Sequence, residues 1–411
     1  MEMGRTLQSH GHYCWLLLLL YILLLLLRRL LLWLVVVHSM AEAVMYNVVD
    51  FGAKPDRETD STMAFLNAWD KACASSNPAL IYVPQGRFLV GNATFKGKCS
   101  NNAISISIDG TLVAPSNIWL ISKARNWLVF EYVDGVSIRG GVLDAQGNTL
   151  WDCKNSDESN CPLGATTLEF ANSNNIAISG LTSINSQMFH IVIYGCQNVT
   201  VQGVKVMAAG NSPNTDGIHV QMSSDVTILN SKIRTGDDCV SIGPGTSNLW
   251  IENIACGPGH GISIGSLGSA LNEPGVQNVT VKTVTFRGTQ NGVRIKTWGR
   301  PSNGFVRNVL FQDAVMVNVQ NPIVIDQNYC PGNKDCPGQA SGVKINNVTY
   351  HNVHGTSETQ VAVKFNCSSD YPCSGIWLED VKLTYNNQVA QALCNNAGGD
   401  ASGSVQPESC L

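Results

Sequence analysis

Asn175-Ile176-Ala177-Ile178, Asn198-Val199-Thr200-Val201, Asp225-Val226-Thr227-Ile228, Asn248-Leu249-Trp250-Ile251, Asn278-Val279-Thr280-Val281, Asn308-Val309-Leu310-Phe311 and Asn347-Val348-Thr349-Tyr350 repeat one phrase. In each, Asn or Asp precedes an apolar residue, then any residue, then a second apolar one. Gly135-Val136-Ser137-Ile138 opens in a related way, with glycine in the turn position. From Asn175 onward the phrases begin 23, 27, 23, 30, 30 and 39 residues apart. Alternating apolar residues form strands, and a strand recurring at such intervals, with Gly and Asn between, is the pattern of a solenoid whose coils are made of strands. The unequal spacing implies loops of different length. A β-sandwich also has short alternating strands, but it does not repeat one strand opening at coil-like intervals.

The expected fold is therefore all-β, a right-handed parallel β-helix. Successive coils stack about 4.7 to 4.9 Å apart, so residues one coil apart in sequence become neighbours in space. The stretch from Asp60 to Ala74 reads as a helix, with apolar Met63, Phe65, Leu66, Trp69 and Ala72, placed to cap the open N-terminal end against edge pairing.

Residues 44–411 read as a single domain, because no Pro/Ser-rich linker or charge run divides them. Residues 1–43 read differently. Two leucine-rich runs, Trp15 to Leu27 and Leu30 to Val37, flank Arg28-Arg29, and Ala41-Glu42-Ala43 follows. A basic stretch, an apolar run and small residues describe an export signal cleaved near Val44. A retained membrane anchor is the alternative, and it would hold two arginines near its centre at about 2.5 to 3.5 kcal/mol each.

Thirteen of the 14 cysteines follow residue 43, several as close pairs such as Cys330 with Cys336 and Cys367 with Cys373. That usage fits an oxidising compartment. An odd number leaves at least one thiol unpaired, and Cys196, inside an apolar stretch, is the choice. Sequons at Asn92, Asn198, Asn278, Asn347 and Asn366 permit glycosylation on a secreted protein. A net charge of −4 and a pI near 6.1 give no basic field for nucleic acid, so any anion site must be local.

Four polar clusters interrupt the Val/Ile/Gly background: Asn214-Thr215-Asp216, Gly236-Asp237-Asp238, Gly259-His260-Gly261 and Arg294-Ile295-Lys296. Asp216, Asp237 and His260 lie 21 and 23 residues apart, near one coil each, so they should occupy adjacent rungs of one face. Arg294 and Lys296, two apart on a strand, share a face and should form a cationic clamp. Asp237 and Asp238 are neighbours, and on an ideal strand they would point oppositely. Both reach one cleft only at a bulge or turn, which Gly236 could supply.

These four clusters, in this order, resemble the motif set of the polygalacturonases of plants, glycoside hydrolase family 28. The resemblance runs from Tyr46-Asn47-Val48-Val49-Asp50-Phe51-Gly52-Ala53 to the terminal pair Cys394 and Cys410. It implies a monomeric, metal-independent, cofactor-free enzyme of the plant cell wall or apoplast that hydrolyses polygalacturonate with inversion, without nucleic acid or stable membrane association. Glycosidic hydrolysis needs one protonated carboxyl for the leaving oxygen and one ionised carboxyl for water.

By resemblance Asp237 is the general acid, Asp216 and Asp238 hold and deprotonate the water, and His260 supports the acid. Crowding of like charges should keep Asp237 protonated. Arg294 and Lys296 should bind a substrate carboxylate. Asn214 and Tyr329 are candidate sugar contacts, and a Cys239–Cys256 bridge should pin the carboxylates. Competing readings are a calcium-dependent pectate lyase, a noncatalytic pectin-binding wall protein and, among hydrolases, a rhamnogalacturonan hydrolase. The comparison with enzymes of cell separation favours internal over terminal cleavage.

Overall fold

The structure is a computed structural model and describes residues 21–29, 43–156 and 160–411. Residues 21–29 are helical, whereas residues 1–20 and 30–42 of the proposed signal, including Ala41, lie outside the described residues. Among the described residues no helix is long and apolar enough to cross a membrane. Residues Met45–Leu411 form one compact unit.

The repeated phrase builds the parallel β-helix as its composition demands. Its first apolar residues stack one above another, Ile176 on Val199, then Val226, Leu249, Val279, Val309 and Val348. All are at most 2% exposed and form the wall of one continuous core. β-branched side chains suit this position because they fill the pleated inner surface with little rotamer freedom to lose.

The residue opening each phrase explains why it is Asn or Asp. Asn175, Asn198, Asp225, Asn248, Asn278, Asn308 and Asn347 all have φ between 54° and 57°. That left-handed conformation is costly for most side chains and tolerated by Asn and Asp. The side chains then bond from rung to rung: Asn198 to Asn175 at 2.7 Å, Asn248 to Asp225 at 3.0 Å, Asn278 to Asn248 at 3.0 Å, Asn308 to Asn278 at 3.1 Å and Asn347 to Asn308 at 2.8 Å.

A second, all-parallel sheet of eleven strands among the described residues carries the functional residues. Its central members are Thr166–Ala171, Ile191–Tyr194, Ile218–Gln221, Val240–Ile242, Ile262–Leu267, Asn291–Trp298, Asn321–Tyr329 and Val361–Asn366. Isoleucines and valines from these strands face the core, as Ile218, Val240, Ile262 and Val293 do in register. The alternate column faces outward: Glu169, Val192, His219, Ser241, Ser263, Arg294, Val324 and Lys364.

The N-terminal helix spans Thr62–Ala74 and buries Ala64, Phe65, Ala68, Trp69 and Ala72. Met63, counted among its apolar face from sequence, instead points to solvent at 64% exposure. Trp69 lies edge-on to Phe95 and Phe130, which begin an interior stack continued by Phe170. Its indole N–H donates to the Lys96 carbonyl, so a buried donor is satisfied while the helix covers the end of the aromatic column.

Candidate active site

Register explains how the polar clusters meet. Ile218, Val240 and Ile262 are partners on adjacent rungs, and the residues two before each are Asp216, Asp238 and His260. Each of these three therefore enters the sheet at an equivalent turn. Asp237 is one residue out of step and reaches the same mouth because the chain bends at Gly236 and Asp237, between strands Lys232–Arg234 and Val240–Ile242. A Cβ at Gly236 would lie 2.1 Å from the Ser212 carbonyl oxygen, so the bend closes only without a side chain there. The Gly236 N–H donates to Thr215 Oγ1 at 3.1 Å, which ties the two aspartate turns together.

Asp238 is wholly buried. Its Oδ1 accepts from Ser263 Oγ at 2.7 Å and from Arg294 Nη2 at 3.0 Å, and its Oδ2 accepts from Lys296 Nζ at 2.8 Å. Arg294 Nε also donates to Ser263 Oγ at 3.0 Å. One buried anion thus meets two nearly buried cations with several hydrogen bonds, the arrangement that makes buried charge tolerable. Asp238 is enclosed by donors, with 1% of its side chain exposed. Arg294 and Lys296 direct their polar ends at Asp238, and Lys296 also lines the cleft wall. The physical reason is the register of Ser263 with Arg294, which sets the guanidinium over the Asp238 turn.

Asp237 is the accessible member of the adjacent pair, with 17% of its side chain exposed. His260 Nδ1 donates to its Oδ1 at 3.0 Å, and the Asp238 N–H donates to the same oxygen at 2.8 Å. Asn214, itself left-handed, reaches Oδ2 only at 3.5 Å. Gly259 and Gly261 flank His260 at positive φ, and a Cβ at Gly259 would meet the Asp237 carbonyl at 2.6 Å.

The protonation pattern differs from the sequence expectation. Burial pushes Asp216 well above the usual carboxylate range, with help from the negative charges of Asp237 and Asp238, while a Ser241 hydrogen bond and Lys296 oppose the rise. Burial also pushes Asp237 upward, but the hydrogen bond and charge of the His260 ring, then Lys296 and the Asp238 amide, outweigh it. Asp237 is therefore held below the ordinary value. Asp216 is thus raised and Asp237 lowered from the ordinary carboxylate range.

The open cleft above these residues holds about 270 Å³ of solvent space and is lined by Asn214, Asp216, Asp237, Lys296 and Tyr329 together with Phe189, His219, Gln221, Ser241 and Ser266. Tyr329 stands edge-on to Trp298 with ring centroids 5.4 Å apart, and Lys296 Nζ lies 5.2 Å from its ring centre. His219, Gln221, Phe189 and Ser263 were not singled out from sequence. His219 bonds Ser241 Oγ at 2.8 Å and Gln221 Oε1 at 3.1 Å, and it stacks on Phe189. Strand parity was the available signal, since His219 and Gln221 alternate with core Ile218 and Val220 immediately after Asp216.

Six disulfides are present among the described residues, including Cys330–Cys336, Cys367–Cys373 and Cys394–Cys410, and Cys196 is the one buried free thiol. Cys239–Cys256 joins the turn after Asp238 to the end of strand Ser247–Cys256, inside the core. Such disulfide density fits an oxidising compartment.

A family model described as Glycosyl hydrolases family 28 matches residues 73–405. The chain belongs to glycoside hydrolase family 28. Relatives agree with that membership. A polygalacturonase of Prunus persica is 66% identical over 373 residues, covering 91% of this chain and 95% of its own. An exopolygalacturonase of Platanus acerifolia is 43% identical, covering 88% of this glycoside hydrolase and 97% of its own length. Among solved structures, a polygalacturonase from Erwinia carotovora ssp. carotovora superposes with a TM-score of 0.66 at 25% identity, over 84% of this chain and 94% of that one.

Proposed function

We propose that this family 28 hydrolase cuts the α-1,4 bonds between galacturonate units inside polygalacturonate chains, with inversion and without a metal, in the loosening of the plant cell wall. The observation that carries the reading is the unequal treatment of three carboxyls at one cleft. Asp238 is locked to two cations, Asp216 is pushed towards protonation, and Asp237 is exposed and oriented by His260.

Asp237 gives its proton to the departing glycosidic oxygen. Substrate entry drives that proton into place, because it strips water from Asp237 and brings uronate charge, and both effects favour the neutral acid. The two carboxyls that line the cleft titrate as a pair. As Asp237 gains its proton, Asp216 ionises and withdraws a proton from the attacking water. Asp238 holds Lys296 at the cleft wall, where the ammonium faces a substrate carboxylate as a point charge. Tyr329 and Asn214 border the sugar path.

Internal cleavage is supported by the outward column, which continues past the carboxyls through Val192 and Glu169 on one side and Val324 and Lys364 on the other. Secretion to the wall is supported by the disulfides and by the leucine-rich start of the chain.

Asp237, Asp238 and His260 also offer three ligand atoms within 4.8 Å of one another. The donor set suits a cation poorly, since both Asp238 oxygens already accept from Arg294, Lys296 or Ser263 and two of those donors repel a metal ion. The test is digestion of polygalacturonate in chelator at mildly acidic pH, with products sized over time. Saturated oligomers of mixed length support the reading. Unsaturated ends, monomer alone from the start, or loss of activity to chelator would refute one part of it each.

A further inference from the structure

The same tripeptide, Trp-apolar-Glu, occurs at Trp250-Ile251-Glu252 and Trp377-Leu378-Glu379, and the fold puts both copies in one register. Trp250 pairs in sequence of rungs with Thr280, Leu310, Thr349 and Trp377, and Glu252 with Lys282, Gln312, His351 and Glu379. The column continues backward from Trp250 through Thr227 and Thr200. It lies on the other sheet of the β-helix, away from the strands that carry Asp216 to Lys296.

A solvent-facing column in a water-soluble fold has no need of tryptophan. Yet Trp250 is 40% exposed and Trp377 is 44% exposed. Trp250 is also held: its indole N–H donates to Glu252 Oε2 at 2.9 Å, two residues along the same face, which lays the ring along the strand. Four rungs separate the two tryptophans, about 19 Å at the usual strand spacing. Between them runs a shallow groove lined by Asn278, Thr280, Asn308, Leu310, Asn347 and Thr349. Its floor therefore offers two aromatic rings, hydroxyls and the carboxamides of the asparagine ladder.

Charge decides what such a floor can hold. The column from Thr200 to Trp377 contains no charged side chain, and its margins carry three acids, Asp225, Glu252 and Glu379, against two bases, Lys282 and Arg307. A polyuronate would find no cation on the floor and more anions than cations at its edges. A neutral β-linked glucan ribbon would find what it needs, since its C–H faces pack on indole rings and its hydroxyls exchange hydrogen bonds with threonine and asparagine. The column runs from coil to coil along the stack, as an extended chain laid on it would.

We infer that the Trp250–Trp377 column is a noncatalytic binding surface for a neutral β-glucan of the wall, and that it holds the enzyme beside its substrate. The three sequons along it, at Asn198, Asn278 and Asn347, arise from the Asn-Val-Thr phrase itself: ladder asparagine, core valine, outward threonine. A glycan at Asn278 or Asn347 would cover the groove, so binding there requires these asparagines to be unmodified.

The test is depletion of the full secreted protein from solution by amorphous cellulose, at low and high salt. Retention should survive high salt, because no charge is involved. It should fall about tenfold or more in Trp250→Ala/Trp377→Ala, as for loss of two aromatic anchors. Trp250→Tyr/Trp377→Tyr should keep most of it. Cleavage of soluble polygalacturonate by all three proteins should be equal, which verifies folding and separates this surface from the cleft. No retention of the unaltered protein, retention abolished by salt, retention unchanged in the alanine variant, or an occupied glycan at Asn278 by peptide mapping would each overturn the inference.

Discussion

Two outward columns of the same coils contrast in what they repeat. The ladder from Asn175 to Asn347 keeps Asn or Asp at φ 54° to 57° on every rung, with a side-chain bond at each step but that from Asn198 to Asp225. The column from His219 to Arg294 runs from imidazole through two hydroxyls to guanidinium, and the turns leading into it hold Asp216, Asp238 and His260. Behind both lies the same apolar core. Monotony outside the core is therefore a structural device in this solenoid, and its interruption marks where structure has been given over to chemistry.

Breaking the interrupted column should have the largest effect. Asp237→Asn should lower kcat by about 10²- to 10⁴-fold, the range of a lost general acid, with little change in KM. Steady-state kinetics on polygalacturonate and an unchanged melting curve check this. Asp238→Ala should act differently, leaving Arg294 and Lys296 buried without their anion, at a cost of about 3 to 5 kcal/mol in stability by denaturant unfolding. A variant that melts like the parent would show that the cations are not held by Asp238.

The pH dependence of stability sharpens the contrast further. Asp216 binds its proton more tightly folded than unfolded, so between the unfolded value near 3.8 and its raised folded value the native state holds the extra proton. Stability should fall as pH rises through that window and level off above it. Asp216→Asn should remove this slope and melt above the parent at neutral pH; calorimetry across pH 3 to 8 would read both effects. A parent curve without a falling limb would contradict the buried, proton-retaining Asp216.

In the monotonous column the changes should be small. Asn278→Ala puts a residue that tolerates φ 56° less well than asparagine there and removes bonds to Asn248 and Asn308. It should cost about 1 to 3 kcal/mol with activity intact. Asn278→Gly restores the backbone freedom and should cost less, about 1 kcal/mol.

The ladder was legible because its phrase is local: Asn, core residue, outward residue, core residue. Sequence also grouped Asp216, Asp237, His260, Arg294 and Lys296 correctly as one neighbourhood. It misjudged who touches whom. Spacing alone suggested rungs 21 and 23 residues apart, whereas the register step is 22 and matches Asp216 with Asp238, which leaves Asp237 one residue out of step.

The capture of Arg294 by Asp238 was not legible, because 31 residues separate Ser263 from its partner Arg294 and the extra length lies in loops whose path the repeat does not specify. His219 and Gln221 could have been found by carrying the alternation two residues beyond Asp216. The opposite shifts of Asp216 and Asp237 depend on burial and on contacts that only the folded coils supply.

The measurement that tests the central claim most directly is proton NMR of the first reducing ends released from polygalacturonate in chelator, by the parent enzyme and Asp237→Asn side by side. The account predicts β-anomer first from the parent, drifting to the equilibrium mixture by mutarotation, and almost no product from the variant. α-Anomer first, or undiminished release by Asp237→Asn, would contradict it.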